Sequence, residues 1–143
     1  MKMSYNYRVW IFASILFAWL SGSSLFIIIE FGEIEGEFGL MPNPYLGLLL
    51  KVHGLSAFIF LITFGFFVGT HVKATWRMQK NKRSGYTILG LQTFLIVSAY
   101  MLYYIADPIT RPVLRYLHFA VGFALPFVTV IHVWHLISNR LGA

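Results

Sequence analysis

The chain has 143 residues, 58% of them hydrophobic and 11% charged, with five histidines, no cysteine and a formal net charge of +6. That balance lies far outside an ordinary soluble fold, so one domain with the bilayer as its solvent is expected. The lack of cysteine excludes disulfides, thiolate-held iron–sulfur clusters and thioether-attached haem within the chain, and the basic residues are placed for membrane topology, not for nucleic acid.

Four apolar stretches, near 9–29, 46–72, 86–105 and 113–137, are each long enough to cross a hydrocarbon core of about 30 Å. The expected fold is all-α, a transmembrane four-helix bundle. The first stretch follows Lys2 and Arg8 and reaches Ser21, Gly22 and Ser23 in the manner of a signal peptide. Its apolar run continues through Leu25 to Ile29 with no A-x-A site, so it reads as a retained helix.

The connections differ in sign. Glu30, Glu33, Glu35 and Glu37 crowd the first, together with Pro42 and Pro44; Lys73, Arg77, Lys80, Lys82 and Arg83 crowd the second. Asp107-Pro108 and Arg111-Pro112 mark a short third turn. By the positive-inside rule the basic connection is cytoplasmic and both termini are inside, with Lys2, Arg8 and Arg140 in agreement. Tyr7, Trp10, Trp76, Tyr86 and Trp134 then fall at the inner interface, and Tyr45, Tyr103, Tyr104 and Tyr116 at the outer one, as aromatic belts.

Four histidines lie inside these stretches, His53 and His71 on the second, His118 and His132 on the fourth. Those two helices run in the same direction, so His53 and His118 lie toward the outer face and His71 and His132 toward the inner one. In an unbroken α-helix the 18 positions from His53 to His71 are five turns, a rise of about 27 Å on one face. The 14 positions from His118 to His132 rise about 21 Å, with the second ring trailing by roughly 40°. Paired by depth, the imidazoles suit two haem b groups with two axial histidines each, which leaves no open position on iron and favours electron transfer.

Secondary features bear on this expectation. Pro126 lies between His118 and His132, where it is placed to kink the helix, and Gly65, Gly69 and Gly122 suit either close helix packing or the approach of a flat macrocycle. His135 is the alternative to His132; its height matches the second helix better, but its phase turns it away. Arg111 and Arg115, with Lys51, are the outer candidates to meet haem propionates; Lys73, Arg77 and Arg83 serve the inner side.

The run from His53 through the basic connection and Ser84-Gly85 to Tyr103-Tyr104, then Leu117-His118, Gly122, Leu125-Pro126 and His132-Val133, resembles small bacterial membrane b-type cytochromes. In plan it is similar to the cytochrome b subunits of membrane-bound formate dehydrogenases and hydrogenases, over roughly the last two-thirds of the chain. The resemblance implies a cytochrome of the bacterial cytoplasmic (inner) membrane that passes electrons between the quinone pool and a redox partner, as a subunit of a respiratory complex. Glu30, Asp107 and His135 are the polar candidates near a quinone. Two alternatives stand beside it: a quinone-linked oxidoreductase acting alone on a small acceptor, and a haem-free anchor subunit whose histidines pack or relay protons.

Overall fold

The structure, a computed structural model, describes residues 5–75 and 82–141, without the side chains at 75, 82, 136, 137 and 139–141. Lys2, Trp76, Arg77 and Lys80 lie outside the described residues, as do the side chains of Lys82 and Arg140. In chain order the elements are α1 (Tyr5–Phe31), β1 (Ile34–Gly36), β2 (Gly39–Met41), α2 (Leu46–Phe67), a π-helical turn (Val68–Val72), a short α3 (Lys73–Thr75), α4 (Lys82–Tyr104) and α5 (Thr110–Leu141). The four stretches expected from the sequence fall on α1, on α2 with its π turn, on α4 and on α5, all long and apolar enough to cross a membrane. The fold is therefore all-α in class, of the kind a multi-pass membrane protein needs. It divides into two units, a hairpin of α1 and α2 and a hairpin of α4 and α5.

The distribution of side chains reverses that of a soluble protein. Ser14, Ser21, Ser56, Gln92, Ser98 and Thr129 are buried, whereas Leu16, Leu20, Phe58, Ile62, Phe123 and Phe127 are exposed. In water so much exposed apolar surface is a liability. In lipid it is the solvent-facing side, and small residues collect where helices meet because close packing, not hydrophobic burial, holds them together. The buried hydroxyls are satisfied without breaking the helices: Ser14 Oγ donates to the Ile11 carbonyl at 2.9 Å and Thr129 Oγ1 to that of Leu125 at 2.8 Å.

The second helix of each hairpin starts in the same way. Asn43 Oδ1 accepts the Tyr45 N–H at 3.0 Å, and Asp107 Oδ2 accepts those of Ile109 and Thr110 at 3.2 and 2.6 Å. A proline follows each of these residues in the turn before the helix, where its fixed φ is accommodated and its missing N–H is not needed. Hydrogen bonds from Thr110 hold the exposed Asp107 carboxyl below the usual carboxylate range.

Two features differ from the sequence expectation. The first connection, expected to be a loop, contains an antiparallel strand pair with Ile34 opposite Met41, Glu35 opposite Leu40 and Gly36 opposite Gly39. Gly39, at φ +112°, takes the left-handed conformation that lets so short a hairpin close. Among the belt aromatics, Trp10, Tyr45, Tyr86, Tyr103, Tyr104, Tyr116 and Trp134 are exposed. Tyr7 instead belongs to the α1–α2 seam, its hydroxyl 3.5 Å from Thr70 Oγ1 and its ring edge-on to Phe66 at 5.2 Å.

Candidate histidine sites

In the first hairpin His53 lies half-buried against α1, within a group of hydroxyl contacts. Ser56 Oγ donates to the His53 carbonyl at 2.7 Å, and Ser21 Oγ lies 2.8 Å from Ser56 Oγ and 3.1 Å from His53 Nδ1. Ser21 Oγ also lies 3.2 Å from the Ala18 carbonyl, so the two serine hydroxyls, with one hydrogen each, share four contacts around His53.

Gly22 makes this placement possible. A Cβ there would lie 2.9 Å from His53 Cε1, closer than real side chains approach, and 3.3 Å from Nδ1, a tight contact. Gly65 and Gly69, prominent in the sequence, have open space where a Cβ would go, so close helix packing is not their role among the described residues. At Gly122 a Cβ would make ordinary contact with Leu95 at 3.6 Å.

The second hairpin repeats the arrangement twice. Ser98 Oγ is 2.7 Å from His118 Nδ1, and Ser84 Oγ is 2.8 Å from His132 Nδ1. The two serines are 14 positions apart on α4, and the two histidines are 14 apart on the antiparallel α5, so one register serves both pairs. Ser98 Oγ also lies 3.2 Å from the Leu95 carbonyl. α5 continues as helix through Pro126, which lacks the N–H that would bond the Gly122 carbonyl.

Between the two Ser–His pairs sits Gln92, 5% exposed, whose Oε1 accepts no hydrogen bond among the described residues. His135, three residues beyond the half-buried His132, is exposed. Arg115 is half-buried, one turn before His118, with its guanidinium 5.4 Å from the Tyr116 ring centroid; Arg111, a turn earlier, is exposed. Both share the His118 side of α5, since positions three and seven residues apart lie within roughly 60° of each other. Lys51 is exposed. Asp107 is committed to capping α5, and Glu30 is half-buried at the end of α1.

His71 departs from the pattern. It lies inside the π turn, where the Lys73 N–H reaches back to the Val68 carbonyl, and its ring stacks on Phe67 with centroids 4.9 Å apart. A π turn holds one residue more than an α turn, which rotates the residues beyond it by about 100° from a straight continuation. The single face expected for His53 and His71 assumed an unbroken helix, and the structure breaks it within the turn that carries His71. Among the described residues no three His, Asp or Glu side chains gather as a metal ion outside a macrocycle would require.

Nothing in the sequence marks Ser21, Gly22, Ser56, Ser84 and Ser98 as neighbours of the histidines. The only available signal was the 14-residue spacing of Ser84 and Ser98, which equals that of His118 and His132. Compared with protein-family models, with curated proteins and with solved structures, the chain matches none.

Proposed function

We propose that the chain is a membrane di-haem cytochrome b that carries electrons across the bacterial inner membrane, between the quinone pool and a redox partner, as a subunit of a respiratory complex. The observation that carries this reading is that His53 and His118 are each hydrogen-bonded at Nδ1 to a serine of the same hairpin. A partner at Nδ1 is what orients the ring of a histidine whose Nε2 binds iron.

In this reading His53 and His118 are ligands of an outer haem b, and His71 and His132 of an inner one. Haem b supplies a one-electron couple, and two axial imidazoles per iron leave it without a site for oxygen or substrate. The chain's residues do the rest. Ser21, Ser84 and Ser98 orient the rings, Gly22 admits the His53 ring, and Arg111 and Arg115 offer positive charge to propionates at the outer end. The apolar outer surface of all four helices keeps the path in lipid. In this reading Lys73 and Arg83 face the cytoplasm, as the positive-inside rule expects.

Single-ligand variants test the pairing. His53→Ala and His118→Ala should abolish the same haem signal in a redox difference spectrum, and His71→Ala and His132→Ala the other. Four variants with unchanged spectra, or a colourless parent protein, would favour a haem-free anchor.

A further inference from the structure

We propose that the β1–β2 hairpin is a membrane-surface element: its uncharged face and the Phe38 ring at its turn rest on the lipid leaflet that α1 leaves and α2 enters. The inference does not depend on haem. It starts from what strands of three residues can support. An isolated two-stranded hairpin is marginal in water unless an apolar face is covered. Here Ile34, Phe38, Leu40 and Met41 are all exposed, Phe38 by 96%, and so are Phe31 and Tyr45 beside the flanking helix ends.

Register sorts these side chains by face. Residues directly opposite one another in an antiparallel pair project to the same side, and neighbours along a strand project to opposite sides. Ile34 and Met41 therefore share one face with Gly36 and Gly39, whereas Glu35 and Leu40 share the other. The first face carries no charge. Met41 lies across it because Gly36 has no side chain, and a Cβ there would stand 2.5 Å from the Met41 Sδ. The second face carries the exposed Glu35 carboxylate, whose desolvation in lipid is costly, so the carboxylate decides which face turns to water.

Position in the chain names the occupant. The exposed apolar surface of α1 and α2 is the lipid-facing side of those helices, and the hairpin continues it. Ile34 follows Ile29, the last residue of the apolar run before Glu30, by five positions, and four residues join Met41 to α2. So short a tether keeps the hairpin beside the headgroup layer. There an amphipathic element with Phe or Leu on one side and charge on the other buries its apolar side about 5–10 Å into the boundary between headgroups and acyl chains.

The chain has no cysteine, so one introduced cysteine carries one spin label. Ile34→Cys, Glu35→Cys and Phe38→Cys, labelled and reconstituted in phosphatidylcholine nanodiscs, are compared by power saturation for collisions with oxygen, which concentrates in lipid, and with a water-soluble nickel chelate. Leu20→Cys, on the exposed apolar side of α1, is the lipid reference. Labels at Ile34 and Phe38 should favour oxygen as the Leu20 label does, and the label at Glu35 should favour nickel. Nickel preference at all three sites would put the hairpin in water and overturn the inference. Low access of both reagents at Phe38 would reveal a protein cover, a second copy or another chain, and would contradict it equally. Phe38→Trp keeps a ring at the turn as a check on the labels. Its fluorescence above that of the four native tryptophans should be quenched by brominated acyl chains, and an unquenched signal would count against lipid contact.

Discussion

Gly22→Ala offers a test in which the expected sign is opposite to the usual one. Replacing a glycine inside a helix by alanine ordinarily stabilises the helix by about 1 kcal/mol. At Gly22 the new methyl group would stand 2.9 Å from His53 Cε1, 3.3 Å from Nδ1 and 3.5 Å from Nε2, so it meets the whole ring edge and not the end of a flexible chain. Carbon atoms settle at about 3.5–4.0 Å, so the ring must retreat by roughly 0.6 Å or more. The His53 Nδ1 to Ser21 contact is already 3.1 Å, and a retreat of that size takes it past hydrogen-bonding range. Overpacking of this kind typically costs about 1–3 kcal/mol, and a ligand displaced by more than about 0.5 Å no longer meets its partner well. Gly22→Ala should therefore lower the melting temperature and reduce the outer haem signal while the inner one persists. Gly65→Ala, where a Cβ meets nothing within 4 Å, is the matched control and should be neutral or stabilising. Thermal melts and difference spectra of the two variants, purified side by side, measure both effects. If Gly22→Ala matched Gly65→Ala in melting temperature and haem content, the close approach of His53 to α1 would be refuted.

Three further outcomes are expected. His118→Ala should remove about half of the haem and leave the remaining spectrum unshifted, since His132 lies about four turns away on α5; haem content per chain measures it. Gln92→Leu should stabilise the protein, by about 1 kcal/mol or more, because it removes a buried carbonyl oxygen that accepts no hydrogen bond among the described residues; a lower melting temperature would show that the amide has a partner. Asp107→Asn should matter only above acidic pH. The Asp107 carboxyl is held low by Thr110 in the folded chain, so its stabilising effect is fully present above the unfolded value of about 4 and fades as pH falls through the lower folded value. Melts of parent and variant should differ near pH 7 and converge toward pH 3, and a difference that persists unchanged at pH 3 would contradict the capping role.

The helices were legible because hydrophobic length in a membrane is a strong signal, and Asn43-Pro44 and Asp107-Pro108 mark the turns before the second member of each hairpin. The strand pair was not, since three-residue strands are too short for an alternating pattern to register. The π turn was equally hidden: nothing in Val68–Val72 distinguishes it from the α-helix that precedes it, so phase arithmetic from His53 to His71 ran through a break. The histidines themselves stood out by type and depth. Their serine partners did not, because serine in a membrane helix is common, and only the three-dimensional register shows that Ser84 and Ser98 meet His132 and His118. Gly65 and Gly69 stand out in the sequence ahead of Gly22 for a related reason, as sequence marks where the backbone lacks a side chain but not which neighbour needs the space.

The most direct test of the central claim is the haem content of the purified full-length protein, by pyridine haemochrome and iron analysis against protein concentration. The two-haem reading predicts two haem b per chain with bis-histidine low-spin spectra; a chain that binds no haem when haem is abundant would contradict it.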